Sequence, residues 1–136
     1  MLIRQATKED TSNVRKLITL GAKEGVILNR TDAEINELIA KECMLVAEDE
    51  NKVSGLICLD FYSQRLSEIR TVYILEEYRG RGIGKELIHK INDKASELGI
   101  HEVMMITTKE KKDWFFKNGF AEETKSFKIA LFKKFD

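Results

Sequence analysis

Three of the chain's eight glycines, Gly80, Gly82 and Gly84, fall within five residues in the stretch EYRGRGIGKEL, Glu77 to Leu87. A run of this kind dictates what surrounds it. LSEIRTVYIL, before it, has the composition of a strand. The residues after it place Ile83, Leu87, Ile91, Ala95 and Leu98 on one helical stripe, with Gly99 positioned to end the helix. HEVMMITT then reads as the next strand, so strand, glycine turn, helix and strand make one parallel crossover. Free backbone N–H groups at the start of that helix carry partial positive charge, and glycines let an anion approach them. Arg79, Arg81 and Lys85 add cations. The turn therefore reads as a site for a phosphate-bearing ligand rather than a bare connection.

Periodicity organises the rest. LIRQAT is a short first strand. Thr7 introduces a helix whose apolar side is Val14, Leu17, Ile18 and Leu20 and which ends between Gly21 and Gly25. RTDAEINELIAKE is a second helix: Thr31 and Glu34 form a capping box, and Ile35, Leu38 and Ile39 follow at helical spacing. CMLVAED and KVSGLICLDFY are strands joined at Glu50–Asn51, a tight-turn pair. Beyond the crossover, EKKDWFFKN is a short helix stopped by Gly119, and FAEE with KSFKIALF closes the chain as a hairpin. Trp114, Phe115, Phe116 and Phe120, around Gly119, are assigned to the core. This order predicts an α/β fold in a single domain over residues 1–136: a mixed, mostly antiparallel sheet with one parallel crossover and helices on both faces.

Composition narrows the function. At 136 residues the chain can bury a sizeable core without disulfide or metal staples. Basic and acidic residues balance at 23 each, which argues against a general nucleic-acid-binding surface. No apolar run approaches the ~20 residues that span a membrane, and MLIRQATKED has no signal-peptide core. Cys43 and Cys58 lie in apolar, strand-like runs and read as buried free thiols, which fits a cytoplasmic protein. His89 and His101 lack metal-ligand spacing, so no metal is expected and both are placed at the surface.

Spacing separates the phosphate ligands. A triphosphate loop, G-x-x-x-x-G-K-[ST], would need glycine where Arg79 stands and a hydroxyl where Glu86 stands. A dinucleotide fingerprint needs G-x-G-x-x-G and a later acidic residue; here the spacing is G-x-G-x-G, and Glu102 opens the next strand instead of ending it. What fits is R-x-x-G-x-G, as Arg79, Gly82 and Gly84. With this motif the chain resembles the GNAT superfamily of acetyl-CoA-dependent N-acetyltransferases. WFFKNGF resembles that family's aromatic-x-x-x-G-F helix end, the order of elements is similar, and the likeness covers nearly the whole chain. GVILNRTDAEI, SEIRTVYI, the paired threonines after the fifth strand and the WF pair resemble the N-acetylglutamate synthase branch, the short amino-acid acetyltransferases.

The resemblance implies acetyl-CoA as co-substrate. Arg79, Gly80, Arg81, Gly82, Ile83, Gly84 and Lys85 would take the pyrophosphate of coenzyme A. The backbone of Val72, Tyr73 and Ile74 would meet the pantetheine arm, in a gap where the strand splays from its neighbour. Thr108 stands where many relatives carry a pantetheine-contacting asparagine. Phe115 occupies the place of the family's tyrosine acid and cannot donate a proton. A thiol has an ordinary pKa near 8.5, so the thiolate can leave unassisted.

By simple strand alternation Glu68, Arg70 and Val72 share one face. Glu68, eleven residues before Arg79 where the superfamily often places its base, is the candidate to accept the ammonium proton of the substrate. A structural Glu68–Arg70 pair is the other reading of those two residues. Arg70 and Arg30 are candidates for a substrate carboxylate, because a guanidinium can bind one through two parallel hydrogen bonds. The expected reaction is direct acetyl transfer to a small-molecule primary amine, foremost the α-amino group of an amino acid such as glutamate. No nucleic-acid or membrane partner is expected, and a homodimer is left open. Other acceptors (a protein N-terminus, a lysine, a polyamine, an antibiotic) and a non-catalytic acyl-CoA sensor are the rival readings.

Overall fold

Seven consecutive residues, Val53 to Leu59, are buried. A strand with no exposed alternate positions must lie inside a sheet covered on both faces. The computed structural model, which describes residues 1–107 and 109–121, shows this arrangement. The described residues fall into two compact units, Met1–Ile106 and a second that begins at Thr107.

The first unit is a five-stranded sheet in the order β1-β2-β3-β4-β5, with β1 Leu2–Gln5, β2 Met44–Asp49, β3 Lys52–Asp60, β4 Leu66–Ile74 and β5 Glu102–Met104. Neighbours are antiparallel except β4 and β5, which run parallel across the crossover. Glu50 and Asn51 both take left-handed φ, 47° and 67°, as a two-residue hairpin between twisted strands requires. β5 is shorter than the HEVMMITT run suggests.

Three helices cover the sheet: α1 Thr11–Lys23, α2 Asp32–Ala40 and α3 Ile83–Glu97. A 3₁₀ turn, Lys8–Asp10, lies between Thr7 and α1, so the helix starts later than Thr7 indicates. The buried stripe of α1 is Val14, Leu17, Ile18 and Gly21; Leu20, expected inside, is exposed. Gly21 replaces it where α1 is closely covered: a Cβ there would stand 2.7 Å from the Ile27 side chain and 2.9 Å from the Tyr73 ring of β4. The α2 capping box forms, with Thr31 Oγ1 accepting from the Glu34 N–H at 3.1 Å and Glu34 Oε1 accepting from the Thr31 N–H at 3.1 Å. α1 and α2 lie on the Tyr73 face, and α3 packs Ile83, Leu87, Ile88, Ile91 and Ala95 across the strands.

In the second unit α4 spans Lys112–Lys117, after a 3₁₀ turn at Lys109–Lys111. Phe115 is buried, with its ring edge-on to Trp114 at 4.9 Å and to Phe120 at 5.8 Å. Trp114 and Phe116, expected in the core, are each 39% exposed. The four helices end alike: a residue with left-handed φ (Gly25, Glu42, Gly99, Gly119) lets the next N–H reach back to the last turn. The closing hairpin of the sequence reading lies, beyond Ala121, outside the described residues.

At Gly55 in β3 an added Cβ would sit 2.6 Å from Ile74 Cδ1 and 3.0 Å from the Tyr73 carbonyl oxygen. Gly55→Ala is expected to lower the unfolding free energy by about 1–3 kcal/mol, read from urea titration at 25 °C.

Candidate active site

β4 carries both ends of the site. Past its last residue, a 3₁₀ turn at Glu76–Tyr78 leads into Arg79–Gly82 and the start of α3. Gly80 and Gly82 have φ of 78° and 81°, and a Cβ at either would meet nothing within 4 Å. The backbone twist, not crowding, calls for glycine there, and the space over the loop is open. Gly82 caps α3 with no side-chain hydrogen bond, so the first N–H groups of a 15-residue helix have no capping side chain. The loop thus offers backbone donors and a positive helix end to an anion, which fits the diphosphate of coenzyme A.

The loop's cations are arranged by their neighbours. Arg79 donates through Nε to the Ile74 carbonyl at 2.9 Å and through Nη2 to Glu24 Oε2 at 3.1 Å, and lies 5.5 Å from the centre of the Tyr73 ring. Tyr73 donates its hydroxyl to Glu24 Oε1 at 2.7 Å. Burial, reinforced by that carboxylate, pushes the Tyr73 hydroxyl up to about 12, while Tyr73 and Arg79 hold the Glu24 carboxyl below its usual range. Arg81 donates to the Glu77 carbonyl at 3.0 Å and sits 5.0 Å from the centre of the Tyr78 ring. Lys85 is exposed on the first turn of α3.

The edge of β4 is only partly used. β5 pairs with Leu66, Ser67 and Glu68 alone. From Ile69 to Ile74 no strand among the described residues pairs with β4 on that side, so the backbone of Val72, Tyr73 and Ile74 borders an open edge. An elongated ligand with amide groups has hydrogen-bonding backbone available there.

The other end of β4 departs from simple alternation. Cys58 opposes Thr71, but the next residue, Leu59, opposes Ile69, so Arg70 is an extra residue in β4. Opposed residues share a face. Val72 therefore goes with Ile57, while Glu68 goes with Asp60, three residues further along β3 and on the other face. The expectation that Glu68, Arg70 and Val72 share a face is corrected: the bulge turns Glu68 to the face of Thr71 and Asp60.

That face holds a connected polar cluster. Arg30 is 3% exposed and its fork is bidentate to Asp60, Nη1 to Oδ1 at 3.0 Å and Nη2 to Oδ2 at 2.8 Å, while Nε donates to Thr71 Oγ1 at 3.0 Å. Burial works against the charge of Arg30, but the hydrogen bonds to Asp60 and nearby negative charge outweigh it. Arg70 Nη1 stands 4.0 Å from Asp60 Oδ2 and its side chain is 39% exposed. Tyr62 donates its hydroxyl to Glu68 Oε1 at 2.7 Å. Glu68 and Arg70, the alternative surface pair, thus have separate partners, Tyr62 and Asp60. Of the two arginines assigned to a substrate carboxylate, only Arg70 presents its guanidinium; that of Arg30 is taken by Asp60. A cleft of about 140 Å³ opens beside this cluster, with Leu59 and Leu38 in its apolar wall and Arg30, Asp60, Phe61 and Tyr62 around it.

Asp60, Tyr62 and Glu24 do not stand out in the sequence: Asp60 and Glu24 matter through partners 30 to 55 positions away, and Tyr62 meets Glu68, six positions on, only across the turn between β3 and β4. Cys58 is fully buried and its thiol is pushed up to about 12, so it offers no thiolate nucleophile at neutral pH. His89 and His101 are exposed, and among the described residues no cluster of three His, Cys, Asp or Glu could hold a metal ion. Thr108 lies outside the described residues, and Phe115 belongs to the second unit.

Residues 15–120 match the Acetyltransferase (GNAT) family. An uncharacterised N-acetyltransferase of Chlorobaculum tepidum is 33% identical over 125 residues, 92% of this chain and 78% of its own length. An amino-acid acetyltransferase of Pseudomonas putida is 26% identical over 123 residues; the match takes in 88% of this chain but 27% of the relative, so the chain spans about a quarter of that protein. Among solved structures, Rv2747 of Mycobacterium tuberculosis, in complex with CoA and NLQ, has a TM-score of 0.81 at 25% identity, covering 96% of this chain and 77% of its own. N-acetylglutamate synthase of Neisseria gonorrhoeae, complexed with coenzyme A and N-acetyl-glutamate, has a TM-score of 0.80 at 25% identity, covering 92% of this chain and 30% of its own.

A guanidinium that only met substrate would leave the ligand-free fold indifferent to its loss. Arg30→Met instead strands the Asp60 carboxylate, and is expected to cost about 3–5 kcal/mol of stability in the ligand-free protein, measured by urea unfolding.

Proposed function

Because the chain belongs to the acetyltransferase (GNAT) family, and is an N-acetyltransferase that draws its acetyl group from acetyl-CoA, we propose that its acceptor is the α-amino group of a small amino acid such as glutamate. The observation that carries this reading is a carboxylate and a solvent-facing guanidinium at the bulge of β4, Glu68 and Arg70, the latter 4.0 Å from Asp60, next to the stretch of edge where β5 no longer pairs. The amino-acid acetyltransferase and N-acetylglutamate synthase relatives support it.

When bound, acetyl-CoA supplies the activated thioester. The chain's own residues do the rest. Gly80 to Lys85 and Arg79 would hold the diphosphate, and the backbone of Val72 to Ile74 would line the arm. Glu68 takes the proton from the acceptor ammonium, which frees the amine lone pair. Arg70 pairs with the acceptor carboxylate; Asp60, itself clamped by Arg30, keeps the Arg70 guanidinium turned toward that face. The proposed route is direct transfer with no acyl-enzyme; Cys58, fully buried, supplies no nucleophile to it.

Release of free thiol from acetyl-CoA, measured over amino acids, polyamines and peptides, tests the acceptor, with glutamate, glutamine and aspartate in the first set. Release with none of the amino acids overturns the acceptor class while leaving the family standing. Glu68→Gln is expected to lower kcat by ~10²–10⁴. Arg70→Ala is expected to raise the KM for the amino acid roughly 10–100-fold, the loss of one charge-assisted hydrogen-bonded pair, with the KM for acetyl-CoA unchanged.

A further inference from the structure

We propose that Tyr62 is a positioning residue for Glu68, its hydroxyl locking the carboxylate with one oxygen occupied and the other presented to the acceptor ammonium. The inference rests on Glu68 being the base. Tyr62 is 58% exposed, so burial does not hold its ring in place. The connection between β3 and β4 does. The Tyr62 N–H donates to Ser67 Oγ at 3.1 Å, and Ser67 Oγ donates to the Ser63 carbonyl at 2.9 Å. Ser63 Oγ closes the loop from the other side, accepting from the Leu66 N–H at 3.2 Å. Ser67 is fully buried, so this small hydroxyl ring is anchored in the core directly beside Glu68. At the near end of the loop, Asp60 is fixed by both Nη atoms of Arg30. Six residues, Asp60 to Arg65, are thereby fastened at both ends, with the phenol aimed at Glu68 Oε1.

The bulge makes the pairing work. Asp60 opposes Glu68 only because Arg70 is an extra residue, and Tyr62, two residues beyond Asp60, then overhangs the Glu68 side chain. A glutamate side chain turns about three torsions and, unheld, would sample several rotamers. A phenol–carboxylate hydrogen bond of 2.7 Å selects one of them and leaves the second oxygen's lone pairs free. The charged groups facing the pair are Asp60 and Arg70, with Arg30 behind Asp60. Glu68 pushes the Tyr62 hydroxyl above its ordinary range, so Tyr62 stays a protonated donor through neutral pH. Tyr62 also borders the cleft between α2 and this loop.

Two measurements on the full chain test this. The first needs no substrate. The alkaline titration of Tyr62, isolated as the difference between wild type and Tyr62→Phe in ultraviolet absorbance at high pH, is expected to move to lower pH in Glu68→Gln. An unchanged titration means that the pair does not form and overturns the proposal. The second is a double-mutant cycle of Tyr62→Phe and Glu68→Gln with acetyl-CoA and the amine turned over fastest in the thiol-release panel. Tyr62→Phe should lower kcat about three- to tenfold, the loss of one ordinary net hydrogen bond at an exposed site. The KM for acetyl-CoA and the melting temperature should stay unchanged. In the Glu68→Gln background the same substitution should have no further effect. An equal loss in both backgrounds shows Tyr62 acting elsewhere and overturns the proposal, while Glu68 keeps its role through its own loss of turnover. Wild-type turnover in Glu68→Gln removes the base and the positioning role together.

Discussion

β4 pairs with β3 from Glu68 to Ile74 and with β5 only from Leu66 to Glu68, and the rest of the site depends on that asymmetry. A strand hydrogen-bonded on both sides has no backbone left for a ligand. β5 stops pairing after Glu68, so among the described residues no strand meets the remaining six residues of β4 on that side while β3 holds them in place. The open edge then runs straight into the glycine turn and the uncapped start of α3. From Glu68 to Ile74 the strand covers roughly 20 Å at about 3.3 Å per residue, so chemistry at one end and anion binding at the other suit an elongated carrier.

The bulge at Arg70 is the second constraint. One additional residue shifts the register by a single step, and a single step exchanges the two faces. Glu68 joins Asp60, Thr71 and the buried Arg30, and Arg70 is left at the surface 4.0 Å from Asp60. A charge as deeply buried as that of Arg30 needs partners, and its bonds to Asp60 and Thr71 give each of its three nitrogens one. Asp60 is in turn the fixed point from which both Arg70 and the Tyr62 loop are set. The proposed base, carboxylate ligand and positioning tyrosine therefore share one buried ion pair as foundation.

Much of this was legible in the chain because its causes are local. The glycine turn needs left-handed backbone at Gly80 and Gly82, the Thr31–Glu34 box caps α2, Glu50–Asn51 makes the hairpin, and Gly99 and Gly119 end their helices. Each is written in residues no more than a few positions apart. The errors share an opposite cause. Leu20 lies outside and Gly21 inside where Ile27 and the Tyr73 ring of a separate strand both close on α1. Trp114 and Phe116 look like core by composition, yet only Phe115 of the three is buried. Glu68 changes face because of pairing with β3 that its own strand does not encode.

The sequence by itself determined the order of the elements, the parallel crossover, the family and the loop that suits a diphosphate, since these follow from periodicity and from φ angles that only a few residues tolerate. The tertiary structure alone decided which arginine is buried and which is presented, which face carries Glu68, and that Asp60, Tyr62 and Glu24 matter at all. The physical reason is range. Helix caps and glycine turns are settled within one turn of chain, whereas the Arg30–Asp60, Glu24–Arg79 and Glu24–Tyr73 contacts join residues 30, 55 and 49 positions apart, and a bulge is defined only against the strand beside it.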